Sequence, residues 1–118
     1  MHKIRVMEGT RLSKVSRLLQ KDLGDIFQKE GATLFHGKMI TVTSVRVSSD
    51  LGLAKVYISI FPSDKKEEVL LTVKQQTKSI RHELAQRVRH QLRIIPELAF
   101  FLDDSIDYIE NIDKLLKS

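Results

Sequence analysis

Five cations, Lys74, Lys78, Arg81, Arg89 and Arg93, share a sector about 120° wide if residues 74–93 wind as one helix at about 100° per residue. Cations held in such a row neutralise phosphates. Each neutralised phosphate releases condensed counterions, so binding of this kind is tight at low salt and weak at high salt. A second group, Arg5, Arg11, Lys14 and Arg17, lies near the start of the chain. Residues 1–21 carry Lys3, Arg5, Arg11, Lys14, Arg17 and Lys21 against only Glu8, and residues 74–93 carry six Lys or Arg against only Glu83. From Asp103 onward the chain is acidic instead. The net charge of +5 attracts polyanions without naming one. Charge runs are ordinarily solvated helix faces, and residues 1–8 read equally well as a flexible cationic arm or as a docked segment.

Other chemistry finds less support. With no cysteine there are no disulfides, thiolate metal sites or cysteine nucleophile, and a reducing cytoplasm fits. His2, His36, His82 and His90 lack metal-site spacing, so neither metal nor cofactor is expected. Asp103 and Asp104 are adjacent carboxylates, but neighbours on a strand point oppositely, and a capping or turn role before Ser105 is the better reading. No Gly-Lys-Ser/Thr phosphate loop, Gly-x-Ser-x-Gly elbow or His-Glu-x-x-His pair occurs, so no catalytic residue is expected. No stretch resembles a signal peptide or approaches the roughly 20 apolar residues that span a bilayer.

At 118 residues, with 42% apolar and 30% charged residues, the chain should form one folded domain over residues 1–118. Over residues 10–28, Leu12, Val15, Leu19, Leu23 and Ile26 recur at three- and four-residue steps, predicting a helix capped by Thr10 with Lys14, Arg17 and Lys21 outward. The β-branched run from Met39 to Val47 predicts a strand, and its change of phase between Val42 and Val45 predicts a bulge near Ser44. A turn at residues 49–52 leads to a second strand in which Ala54, Val56, Ile58 and Ile60 alternate with Lys55, Tyr57, Ser59 and Phe61.

Asp64 and Glu67 form a capping-box pattern, opening helical structure that reaches toward Leu92 as two helices or one bent one. Pro96 ends it, residues 98–102 read as a third strand, and Ser105 can cap a short last helix bearing Ile109, Ile112 and Leu116. The result is an α+β domain whose three-stranded mixed sheet has one face covered by helices. Tyr57 and Phe61 occupy the strand face opposite the Val56 set. An exposed ring there can stack on a base, but burial under the helices is the preferred reading. Phe100 and Phe101 cannot both face inward.

Several segments in order resemble the ribosome-binding factor A family: residues 40–43, 45–51 and 54–59, the pair Ile80 and Arg81, residues 92–98, Phe100 with Phe101, and residues 102–106. The resemblance covers nearly the whole chain. It implies a KH-like fold of order α-β-β-α-α-β, a cytoplasmic, monomeric protein without enzymatic activity, and contact with small-subunit ribosomal RNA on the free or immature small subunit. Late subunit maturation and importance for growth in the cold come with it. Many relatives are similar in having Ala-x-Gly before the Ile-Arg pair, where this chain has Gln76, Thr77 and Lys78. Residues between Arg81 and Pro96 also outnumber those of many relatives, suggesting an extra half turn of helix around His90 and Gln91.

KH domains usually clamp RNA with a Gly-x-x-Gly loop, and no two glycines here are three apart. With that fold, side chains must make the backbone contacts. Lys74, Lys78, Arg81, Arg89 and Arg93 are then the leading RNA-contact candidates, followed by Arg5, Arg11, Lys14 and Arg17. Arg81 borders the apolar stripe and is also a candidate for capture by a carboxylate such as Asp103. The competing function is a protein-interaction module without RNA contact, its charge serving solubility.

Overall fold

The elements of the computed structural model run α1 (His2–Glu30), β1 (Met39–Val47), β2 (Leu53–Phe61), α2 (Lys66–Gln75), α3 (Thr77–Val88) and β3 (Glu97–Leu102). Residues 2–31, 35 and 37–103 are described, with side chains from residue 11 onward. The helix expected after Ser105 lies outside them. None of the described helices is long and apolar enough to cross a membrane.

Alternation builds the sheet. β1 pairs antiparallel with β2, Ile40 opposite Ile60 and Val45 opposite Val56, and the register slips between Val42 and Ser44. That slip is the expected bulge, and it lets Val42 and Val45 both reach the core. β3 pairs parallel with β2, Val56 opposite Phe100, so β2 is central in a mixed sheet. Ile40, Val42, Val45, Ala54, Val56, Ile58, Ile60, Leu98 and Phe100 are buried on one face.

Helices cover that face. α1 packs on β1 and α3, and α2 packs on β3. Val15, Leu19, Leu23 and Ile26 of α1 are buried as their spacing requires, joined by Phe27, which meets the Phe100 ring edge-on at 5.9 Å. Thr10 does not cap α1. The helical backbone already starts at His2, because no proline stops it and Gly9 costs only about 1 kcal/mol.

The β1–β2 turn is held by one carboxylate. Asp50 Oδ1 accepts from Ser48 Oγ at 2.7 Å and from the Gly52 N–H at 2.9 Å, while Leu51 adopts φ 61°. The Ser48 hydroxyl, then the Gly52 amide, hold the Asp50 carboxyl below its ordinary value.

One local expectation about the helical region fails. Asp64 forms no capping box: Lys65 precedes α2 with φ 60° and no side-chain cap bond, and the Asp64 carboxylate instead takes Lys38 Nζ at 2.8 Å. A charged partner 26 residues away outcompetes the local amide. The expected division of the region does hold, as two helices, α2 and α3. The break falls at Gln76, whose φ −95° and ψ 7° lie in the bridge region open to any L residue, so no glycine is needed. There Thr77 Oγ1 donates to the Val73 carbonyl at 3.3 Å, while the Gln76 N–H is shared between the Thr72 and Val73 carbonyls.

Candidate nucleic-acid interface

The break redistributes the first cation group. Lys74 lies in the last turn of α2 and Lys78 in the first turn of α3, on either side of Gln76, while Arg81 follows Lys78 by one helical turn. α3 ends at Val88. Arg89 and Arg93 therefore lie in the connection to β3, and the shared sector expected from a continuous helix does not form. Residues 89–91 are a hydrogen-bonded turn rather than added helix, closed by the amides of Gln91 and Leu92 on the Val88 carbonyl.

Arg81 is held, though not by Asp103. Its Nε donates to the Pro96 carbonyl at 3.0 Å and its Nη2 to the Ile95 carbonyl at 2.6 Å. These bonds fasten the segment just after Arg93 to α3. The Asp103 carboxylate takes the Thr43 hydroxyl at 2.6 Å. Arg81 thus positions the connection, and its remaining donors stay at an exposed surface.

Comparison with a neighbouring arginine separates structural cations from available ones. Arg87 Nη1 lies 3.9 Å from carboxylate oxygens of Asp22 and Asp25, and its Nη2 lies 3.9 Å from Glu83, which also takes Lys29 at 2.9 Å. These acids bind α3 to α1. Lys74, Lys78, Arg89 and Arg93 are exposed and form no ion pair.

In the second group, Arg11, Lys14 and Arg17 are exposed and unpaired along α1. Arg5 also lies in α1, its side chain outside the described set. The fold brings Arg17 to a cation that sequence reading passed over. Arg17 and Arg46 line one hollow of about 400 Å³ between α1 and β1, and Arg46, Lys55 and Tyr57 line a second of about 270 Å³. Strand alternation could have found Arg46, since its neighbours Val45 and Val47 point to the core side.

The rings of the uncovered sheet face correct another expectation. Tyr57 and Phe61 are not buried under the helices: Tyr57 is half-buried and Phe61 is 65% exposed. The helices take the wholly apolar Val56 face, leaving the face that also carries Arg46 and Lys55. Phe101 stacks on Tyr57 with centroids 5.5 Å apart and planes 28° apart, and the Arg46 guanidinium lies 5.9 Å from the Tyr57 centroid. Phe100 takes the buried side.

Among the described residues no group of three His, Asp or Glu is arranged to hold a metal ion. A groove of about 750 Å³ between α1 and β1 is lined by Gln20, Lys21, Asp25, Gln28, Lys38 and Thr41 among others.

Known proteins resemble this chain in fold and sequence. The crystal structure of ribosome-binding factor A from Thermus thermophilus is similar with a TM-score of 0.65 and 27% identity, covering 77% of this chain and 94% of that one. A homology model of the same organism's factor, fitted into a cryo-electron-microscopy map of its 30S complex, is similar with a TM-score of 0.60 and 30% identity, covering 74% and 89%. The ribosome-binding factor A of Christiangramia forsetii is 48% identical over 93% of this chain and 85% of its own length. That of Cytophaga hutchinsonii is 46% identical over 93% and 83%. Residues 11–116 match the family described as ribosome-binding factor A, and the chain belongs to that family.

Proposed function

We propose that this protein binds the small ribosomal subunit through its ribosomal RNA, assists late maturation of that subunit, and does so without a catalytic step. One observation carries the reading: Lys74, Lys78, Arg89 and Arg93 are exposed and unpaired, while nearby Arg87 is held among three acids. Cations without internal partners are those for which phosphates compete least against the fold. They replace the glycine clamp that a KH-like frame would otherwise use. Arg81 supports them by fixing the segment that carries Arg93, and Arg5, Arg11, Lys14 and Arg17 supply a second field.

Binding of this kind suits a temporary factor. Many modest phosphate contacts are lost together when RNA is remodelled, so the protein leaves without a covalent step. It acts as a cytoplasmic monomer on the free or immature subunit, and its absence slows growth most in the cold.

Charge reversal tests this. The triple variant Lys78→Glu, Arg89→Glu and Arg93→Glu should lose retention on small subunits at low salt while its circular dichroism is unchanged. For isolated single-stranded RNA, the slope of log affinity against log salt should flatten by roughly 0.7 for each phosphate contact removed. Unchanged retention and slope would refute the assignment. The competing reading, a protein-interaction module, draws on exposed Met39 and Phe61, paired across the hairpin's open end. It requires small-subunit binding insensitive to these reversals.

A further inference from the structure

We infer that the uncovered face of the sheet is a second RNA surface, on which unpaired bases of a single strand stack against Phe101 and Tyr57. The inference rests on the RNA-binding reading but uses a different face and different chemistry. Tyr57 and Phe101 are partners in the β2–β3 register, and their stacked rings, 28° from parallel, make an apolar plate on the uncovered face. Phe101 keeps 41% of its surface in solvent. A base has an aromatic face whatever its identity, so such a plate accepts single strands with little sequence preference.

The plate has a charged approach. Arg46 lines both hollows, with Arg17 on one side and with Lys55 and Tyr57 on the other. Arg46 and Lys55 are opposite one another across β1 and β2, both exposed and neither in an ion pair. A strand whose phosphates follow Arg11, Lys14 and Arg17 along α1 thus meets Arg46 at the sheet edge, with the rings beyond it. Two carboxylates flank the plate: Glu97 at the start of β3, and Asp103, which already accepts from Thr43. They leave the Arg46 side as the entrance for an anionic chain. Faces that bind protein are enriched in arginine and aromatic rings but depleted in lysine. The unpaired Lys55, together with the run of unpaired cations Arg11, Lys14, Arg17 and Arg46 that leads to the rings, favours RNA as the occupant.

The probe is an unstructured oligouridylate of about a dozen nucleotides, within the range that single-strand platforms accommodate. Phe101→Ala should weaken its binding to the full chain about tenfold without changing the salt slope, because no phosphate contact is lost. Arg46→Gln should weaken binding and also flatten the slope by roughly 0.7. Added oligonucleotide should shift the ring protons of Tyr57 and Phe101 upfield in NMR spectra. If Phe101→Ala disturbs folding, Phe101→Leu keeps the apolar side chain while removing the ring and should still weaken binding.

Binding of folded Phe101→Ala within twofold of the parent, or ring resonances that stay in place, would overturn the inference. Loss of oligonucleotide binding in the Lys78, Arg89 and Arg93 reversal alone would leave the helix-side reading standing and remove this one. Loss in the Phe101 and Arg46 variants alone would do the opposite. Weaker retention of Phe101→Ala on intact subunits, with oligonucleotide binding unchanged, would assign the face to a ribosomal protein and defeat the inference.

Discussion

Along β2, Ala54, Val56 and Ile58 face the helices with no solvent exposure, while Lys55, Tyr57, Ser59 and Phe61 face away and range from half-buried to 65% exposed. Successive residues of one strand thus serve opposite demands. The inner set carries only apolar groups and contributes cohesion; the outer set carries a cation, two rings and a hydroxyl and contributes little to it. Substitution should therefore cost stability on one side and binding on the other.

Ile58→Ala is the strongest test of that division. Removing a wholly buried side chain beside Val42 and Leu102 should lower unfolding free energy by about 2–5 kcal/mol, read as a lower denaturant midpoint with an unchanged slope. A loss below about 1 kcal/mol would mean that the covered face is poorly packed. Arg81 is positioned to break the simple rule that cations bind and apolar residues hold. Arg81→Ala should cost about 1 kcal/mol through its two carbonyl bonds, and hydrogen exchange should quicken at residues 92–96. Unchanged exchange would show that the connection holds itself in place. Lys55→Ala should change stability by less than about 0.5 kcal/mol, and a larger loss would give the outer face a structural role.

The smallest effect is set by pH. The Lys38 hydrogen bond and charge hold the Asp64 carboxyl below 3.8 in the folded chain. Its contribution is therefore complete well above pH 3.8 and disappears as pH falls through 3.8 to the lower folded value. Asp64→Asn should show a shallower fall in unfolding midpoint between pH 5 and 3 than the parent, and superimposable profiles would show that the Lys38 contact contributes nothing.

What was legible in the sequence follows the range of the interactions concerned. Strand alternation is local, so β1, β2 and β3 were readable, as was the bulge between Val42 and Ser44. The 3.6-residue drift announced two helices or a bend after Asp64, but the break at Gln76 needed the Thr77 and Val73 contact to locate it. Asp64 misled because its partner, Lys38, lies before the hairpin. Alternation divided β2 into two faces, and the uniform apolarity of the Val56 set was the signal for which one the helices cover. The candidate cations were legible as residue types, but their pairing only in part: Glu83 four residues before Arg87 is a local signal, whereas Asp22 and Asp25 reach Arg87 only because α1 packs on α3. Arg46 was missed because its value arises from Arg17 and Tyr57, which other elements bring beside it.

The central place of β2 has a further consequence. β1 joins it through a short turn, but β3 arrives only after two helices, so the Tyr57–Phe101 stack links residues whose proximity depends on non-local docking. Detachment of β3 separates the rings and removes the carbonyls that Arg81 grips. A half-folded molecule therefore lacks the finished plate, and the surface itself certifies that the chain has completed its fold.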